Sequence, residues 1–154
     1  MDPRRATAAD AKFVRRAIAG GEEAAMVGGP GGPFGCVIVK DGEIVSEGTN
    51  RVVSKNDPTC HGEIEAIRSA AHKLGTFNLA GCTIYTSGEP CPMCAGAIHW
   101  ARIGRVVFAS TIADARIYGN FDDEAIYEDM AKPADRRNIP SAQCLRGEML
   151  DVWR

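Results

Sequence analysis

Apolar and polar positions in the first third of the chain predict one helix followed by a β-hairpin. Residues 7–26 repeat apolar side chains at helical spacing, and Thr7 with Asp10 forms a capping-box pattern at the start. Two strand-like runs follow at Gly35–Lys40 and Glu43–Thr49. The Asp-Gly pair between these runs favours a tight turn, so the two strands are predicted to pair antiparallel.

The rest of the pattern alternates between helices and strands. It predicts, in order, a helix at His61–Leu74, a strand at Thr83–Ser87, a helix at Cys91–Arg102, a strand at Arg105–Ser110, a short strand near Ala142–Leu145 and a helix that begins at Glu148. Strands that alternate with helices need crossover connections, which predicts partly parallel pairing. The expected fold is a three-layer α/β/α arrangement, with one mixed sheet of about five strands and helices on both faces.

Length and composition are those of an ordinary globular domain. The 154 residues are 45% hydrophobic and 25% charged, so residues 1–154 are predicted to form a single domain. No apolar run approaches the roughly 20 residues that span a bilayer, and the N-terminal residues lack the apolar core of a secretory signal. The chain is therefore expected in the cytoplasm, away from membranes.

Charge and cysteine content narrow the possible partners. The net charge is −2 and the basic residues are scattered, which argues against a nucleic acid and favours a small neutral substrate. Six cysteines in a chain predicted to be cytoplasmic indicate reduced thiols or metal ligands rather than disulfides. Only Cys91 and Cys94 have the spacing of metal ligands. The others are predicted to be small buried side chains: Cys36, Cys60, Cys82 and Cys144.

Two short motifs carry the candidate chemistry, and each opens a predicted helix. The first contains His61 and Glu63, and the second contains Cys91 and Cys94. The two cysteines fall on one side of a first helical turn, where the helix dipole stabilises thiolates. With His61 as the third ligand, a zinc ion keeps its fourth position open for water, which is typical of a catalytic site.

Glu63 lies two residues after the candidate metal histidine. Its carboxylate is therefore placed to carry protons between water and a substrate without binding the metal. The His-x-Glu motif together with Pro-Cys-x-x-Cys is typical of zinc deaminases. A lone Cys-x-x-Cys also fits a redox pair or half of a structural zinc site. A structural zinc module is therefore the non-enzymatic alternative, against which the open fourth position and Glu63 argue.

Further segments of the chain carry a resemblance to a known family. They include residues 31–35, 47–50, 57–59, 65–68, 89–94 and 96–102, and downstream Phe121-Asp122-Asp123 and Ile126-Tyr127. On these segments the sequence resembles the cytidine deaminase superfamily, in its branch of nucleobase and tRNA deaminases, and most of all bacterial guanine deaminases. The resemblance implies a cytidine deaminase-like fold, one Zn²⁺ per chain, a homodimer, and hydrolysis of guanine to xanthine and ammonia.

The resemblance also assigns residues to the substrate. It implies that Asn50 hydrogen-bonds the base and that Phe34 and Trp100 shape a flat apolar slot around it. One carboxylate of Asp122 and Asp123 would read the exocyclic amine of the base, and the motif match favours Asp123. This assignment makes chemical sense, because the amine is a donor and an ionised carboxylate only accepts.

Two departures from the family pattern bear on the substrate. The family usually has glycine directly before the Phe-Asp-Asp segment, whereas Asn120 follows Gly119 here, so the register of the two acids stays open. The family's exchanged C-terminal tail would lie beyond Arg154. Deaminases of cytosine, triazines or nucleosides and the tRNA adenosine deaminases remain alternatives that share the zinc chemistry.

Overall fold

A mixed β-sheet forms the centre of the fold in the computed structural model, which describes residues 2–28 and 32–154. Its strands are β1 (Gly35–Lys40), β2 (Glu43–Thr49), β3 (Cys82–Gly88) and β4 (Arg105–Ser110). They lie in the order β2-β1-β3-β4, with β1 antiparallel to β2 and β3, and with β3 parallel to β4. The predicted hairpin and the predicted parallel pairing are both confirmed.

Helices cover both faces of this sheet. They are α1 (Ala8–Gly28), α2 (Val52–Lys55), α3 (Gly62–Leu74), α4 (Pro92–Trp100), α5 (Ile112–Gly119), α6 (Asp123–Ala131) and α7 (Arg146–Trp153), with a 3-10 turn at Ala134–Arg136. Helix α1 packs on one face, whereas α3 and α4 pack on the other. The three-layer α/β/α prediction is therefore confirmed. None of the helices in the described residues is long and apolar enough to cross a membrane.

The alternation of side chains along the strands divides the core into two apolar clusters. Phe13 of α1 packs with Val37, Val39, Tyr85 and Val107 on one face of the sheet. The cluster on the opposite face contains Cys36, Ile38, Ala66, Ala70, Leu79, Cys82, Ile84, Ile98 and Ala101. Because successive strand residues point to opposite faces, β1 and β3 contribute to both clusters.

The C-terminal part differs from the prediction. Helices α5 and α6 are not predicted, and the last helix begins at Arg146 rather than at Glu148. The described residues form four strands rather than about five, because residues 142–145 pair with no strand and Leu145 has a left-handed φ of 54°. A strand needs a partner for its backbone groups, and this segment has none among residues 2–28 and 32–154. Cys144 is exposed, so its predicted burial is wrong, whereas Cys36, Cys60 and Cys82 are buried as predicted.

A close backbone contact sets the position of α3 on the sheet. A Cβ atom on Gly48 of β2 would lie 2.1 Å from the Gly62 carbonyl oxygen and 2.5 Å from the Ala66 nitrogen. Only a glycine leaves room for that approach, because real Cβ contacts of this length do not occur. The first turn of α3 therefore lies directly against the end of β2, and His61 stands at its N-cap.

Candidate active site

Two helix starts bring three metal-binding side chains together. His61 is the N-cap of α3, and Cys91 is the N-cap of α4, which has Pro92 at its first position. Proline suits that position because its fixed φ is already helical and its missing N–H is not needed there. His61 Nδ1 lies 3.5 Å from Cys91 Sγ and 3.6 Å from Cys94 Sγ. All three ligand atoms lie within 4.8 Å of one another.

These distances fit a tetrahedral zinc ion. Zinc binds imidazole nitrogen at about 2.0–2.1 Å and thiolate sulfur at about 2.3 Å, which separates the two atoms by about 3.6 Å at a tetrahedral angle. A hydrogen bond from the Cys94 thiol and another from His61 lower the pKa of the Cys91 thiol. A lowered pKa favours the thiolate, which is the form that binds a metal. His61, Cys91 and Cys94 are thus close enough together to hold a zinc ion.

Glu63 lies in the first turn of α3, beside the metal ligands. The residue is only 8% exposed, and burial raises the pKa of its carboxyl group above its ordinary value. A carboxyl group whose pKa moves towards the working pH both accepts and releases protons readily. The buried position of Glu63 therefore suits the proton carrier that the sequence predicts.

A cavity of about 440 Å³ lies over the metal ligands, a volume that suits a small heterocycle. Its wall contains these residues that the sequence predicts for the site: Phe34, Asn50, His61, Glu63, Cys91 and Asp123. Phe34 meets Phe121 edge to face, with 4.9 Å between the ring centroids. The two rings give the cavity an apolar wall of the kind that a flat ring packs against.

Asn120 does not displace Asp123 from the cavity. It is the C-cap of α5 and has a left-handed φ of 57°, a conformation that asparagine and glycine adopt most readily. The Phe121 ring then folds over Gly119, where a Cβ atom would lie 2.6 Å from the ring. Asp123 lines the cavity, whereas Asp122 is exposed and does not. The sequence leaves open which of the two acids faces the substrate, and in the structure it is Asp123 that lies in the cavity wall.

Asn50 and Asp123 give the cavity polar groups of opposite character. Asn50 Oδ1 accepts the Val52 N–H at 3.0 Å, so the Asn50 amide N–H groups are the part that is available to a ligand. Burial and the nearby charge of Cys91 raise the pKa of Asp123. When ionised, the Asp123 carboxylate accepts hydrogen bonds only. The cavity therefore offers a donor and an acceptor around an apolar slot.

The structure does not bring Trp100 to the cavity. Trp100 ends α4 and is 80% exposed, so Phe121 supplies the second aromatic ring in its place. Glu89, Ile126 and Met130 also line the cavity, and the sequence does not predict them as site residues. The sequence nevertheless held two signals for these cavity residues. Phe121 and Ile126 belong to the downstream segments that resemble the family, and Glu89 directly precedes the Pro-Cys motif.

Comparison with known sequences gives a consistent family match. Residues 7–110 match the family described as the cytidine and deoxycytidylate deaminase zinc-binding region. The guanine deaminase of Bacillus subtilis (strain 168) is 49% identical over 145 residues, which cover 92% of each chain. The tRNA-specific adenosine deaminase of Aquifex aeolicus is 45% identical over only 78 residues, which cover 51% of this chain and 52% of that protein.

Solved structures agree with the sequence comparison. The crystal structure of the Bacillus subtilis guanine deaminase superposes with a TM-score of 0.87 at 48% identity, and the match covers 93% of this chain and 90% of the other. A second structure, which holds 2,6-diaminopurine, superposes with a TM-score of 0.70 at 32% identity and covers 77% and 65% of the two chains. The first of these matches covers more of the chain than residues 7–110, which match the zinc-binding region.

Proposed function

We propose that this chain, which belongs to the cytidine and deoxycytidylate deaminase family, hydrolyses guanine to xanthine and ammonia. The 49% identity with a guanine deaminase over 92% of each chain supports this substrate. The observation that carries the proposal is the presence of Asn50 and Asp123 in the same cavity as His61 and Glu63. A metal ligand, a proton carrier and two base-recognising groups then surround one bound ring.

Glu63 moves the protons of the reaction. When bound by His61, Cys91 and Cys94, zinc lowers the pKa of water towards neutrality. Glu63 takes a proton from the attacking water and delivers it to the ring nitrogen beside the carbon that bears the amino group. It then moves the proton of the new hydroxyl group to the amino group, which leaves as ammonia. The carbon keeps the oxygen as a carbonyl group, so guanine and water give xanthine and ammonia.

Polar groups at the cavity wall explain a preference for guanine over adenine. The Asp123 carboxylate accepts from the amine of guanine, and the Asn50 amide donates to an acceptor on the ring. Adenine carries its amine on a different ring carbon, so the two groups would stay unpaired in the pose that reacts. An unpaired buried polar group costs about 1–3 kcal/mol, which is enough for a strong preference when two are involved.

Ammonia release from a panel of compounds tests the substrate. We expect the zinc-loaded protein to release ammonia from guanine but not from adenine, cytosine or adenosine. A tRNA anticodon stem-loop should also be inert, in line with the net charge of −2. Release from cytosine, a triazine or a nucleoside without release from guanine would contradict the substrate while leaving the zinc deaminase assignment in place.

We infer that the chain forms a homodimer in which a second copy covers α7. None of the α7 side chains is buried within the described part of the chain, although Val152 and Trp153 are large apolar residues, each 75% exposed. The resemblance implies that C-terminal segments are exchanged between subunits, which would cover such a surface. Sedimentation should give about twice the chain mass of 16.5 kDa, and a monomer at micromolar concentration would contradict it.

We also propose that residues 1–154 act as a single domain in the cytoplasm. The two helices that begin at the metal ligands His61 and Cys91 cover the same sheet, which supports a single domain. All six cysteines lie in the described residues and are free, which suits a reducing compartment. Fractionation that finds the protein outside the cytoplasm would contradict the proposed location.

A further inference from the structure

Helix α6 carries Asp123 into the cavity and lies at the surface of the protein. Asp123 is its first residue, and none of its residues is buried within the described part of the chain. One turn later, the Tyr127 hydroxyl donates a hydrogen bond of 2.9 Å to the Pro90 carbonyl oxygen. This bond connects the helix that bears the candidate base-recognising acid with the segment that bears the metal cysteines.

The segment that accepts this bond is itself firmly placed. Pro90 is buried and directly precedes the metal ligand Cys91. The neighbouring Glu89 side chain accepts the Ile112 N–H at 3.0 Å, at the start of α5. The Glu89 N–H also donates to the Ser110 carbonyl oxygen at 2.8 Å, at the end of β4. Residues 89–90 therefore hold α5 through one bond and α6 through another.

We propose that Tyr127 is a positioning residue for substrate recognition, which holds Asp123 at its place in the cavity through the hydrogen bond to Pro90. The inference rests on the proposed role of Asp123 in guanine binding. Burial raises the pKa of Tyr127, so its hydroxyl group is protonated and able to donate at neutral pH. Helix α6 is also linked to α5 by the Arg116–Glu124 ion pair at 3.0 Å, whereas the Tyr127 bond links it to the segment that bears the metal cysteines. The loss of this bond therefore lets Asp123 shift relative to the metal ligands.

The test removes only the hydroxyl group, by Tyr127→Phe. Binding of 2,6-diaminopurine, which carries amino groups on a purine ring, is measured by calorimetry on zinc-loaded protein that also carries Glu63→Gln, so that no turnover interferes. We expect binding to weaken about 2- to 10-fold, as for the loss of one hydrogen bond. Zinc content should not change, and the thermal unfolding midpoint should fall by no more than about 2–4 °C. The matched control is Tyr118→Phe, since Tyr118 is 86% exposed on α5.

A role through Asp123 requires that the two substitutions are coupled. In protein that already carries Asp123→Ala, Tyr127→Phe should have no further effect on the affinity for 2,6-diaminopurine. The proposal is overturned by equal losses in both backgrounds, by an effect no larger than that of Tyr118→Phe, or by loss of zinc. Failure of the proposed function would instead appear in the unmodified protein, as no ammonia release from guanine.

Discussion

At the scale of single residues, Glu63 combines burial with a position two residues after a metal ligand. We expect Glu63→Gln to keep the fold and the zinc, because the amide fits the same space and the ligand set is unchanged. Turnover should fall at least about 10²–10⁴-fold, the usual contribution of general acid–base catalysis, since an amide does not carry protons at neutral pH. Ammonia release and metal analysis on the same sample check both halves of the prediction.

Glu65→Gln is the matched control for that change. Glu65 lies on the same helix, but its side chain pairs with Lys55 at 2.6 Å and with Arg68 at 3.2 Å. It does not line the cavity, so its loss should leave most of the turnover intact. If Glu63→Gln kept a third of the unmodified rate, another group would have to carry the protons.

The two neighbouring acids should differ sharply in their effect on guanine. Asp123 lines the cavity and Asp122 is exposed, so Asp123→Ala removes the proposed hydrogen bond to the base whereas Asp122→Ala removes none. We expect kcat/KM for guanine to fall about 10- to 100-fold for Asp123→Ala, as for a charged hydrogen bond. The Asp122→Ala protein should stay within about 3-fold of the unmodified protein. A larger loss from Asp122→Ala would mean that Asn120 has changed the register after all.

At the scale of elements, the contact between β2 and α3 places both His61 and Glu63. A Cβ on Gly48 would overlap the Gly62 carbonyl group, so Gly48→Ala must push the start of α3 away from the sheet. We expect a loss of about 1–3 kcal/mol in the free energy of unfolding, as for overpacking, together with weaker zinc binding. Denaturant unfolding and zinc titration measure the two effects.

Gly96→Ala controls for the change from glycine to alanine. Gly96 lies inside α4, and a Cβ there would meet nothing within 4 Å. Alanine favours a helix over glycine by about 1 kcal/mol, so this variant should be as stable as the unmodified protein or more so. Unchanged zinc affinity in Gly48→Ala would show that the close contact does not position the metal ligands.

Elements that pack on the sheet could be predicted from their own residues. The hairpin of β1 and β2 was predicted with its observed bounds, because alternation and an Asp-Gly turn define it locally. The predicted capping box of α1 also forms, since the Asp10 carboxylate accepts the Thr7 N–H at 2.7 Å. Helices α5 and α6 are not predicted, and they bury no residue in the described part of the chain, so packing on the core imposes no apolar stripe on them. Helix α7 is predicted, with its start at Glu148 rather than at Arg146.

The metal ligands could be predicted from local sequence, whereas part of the cavity wall could not. His61, Cys91 and Cys94 were predictable because metal binding demands fixed residue types at short spacings. Phe121 and Glu89 reach the cavity through tertiary packing. Both stand in segments that resemble the family, but that position alone does not assign them to the cavity wall. Trp100 shows the converse case, since it was predicted at the site and is exposed. Aromatic residues serve equally in packing, contacts between chains and ligand binding, so sequence alone does not decide among these uses.

At the scale of the whole molecule, one buried charge network joins the N-terminal helix to the sheet. Asp10 of α1 is 4% exposed and accepts hydrogen bonds from Tyr85 of β3 at 2.9 Å and from Arg105 of β4 at 2.7 and 2.9 Å. Arg105 also donates to backbone carbonyl groups of the segment before α1. These partners, Arg105 above all, lower the pKa of Asp10 well below its ordinary value.

This network should make the stability of the protein depend on pH in the acid range. Because the folded-state pKa of Asp10 is depressed, its contribution is complete above the unfolded-state pKa near 4 and is lost as pH falls towards the folded-state pKa. At about pH 7, Asp10→Asn should cost about 3 kcal/mol of unfolding free energy, since it leaves Arg105 without its buried partner. The difference in unfolding free energy between the two proteins should shrink as pH drops below about 4.

Denaturant unfolding at about pH 7 and below about pH 4 measures this difference. The control is Asp135→Asn, at an exposed site, which should leave the unfolding free energy unchanged under both conditions. The zinc ligands are identical in these proteins, so their own titration cancels in the comparison. A difference that stays constant between the two pH values would show that the Asp10 charge contributes nothing to stability.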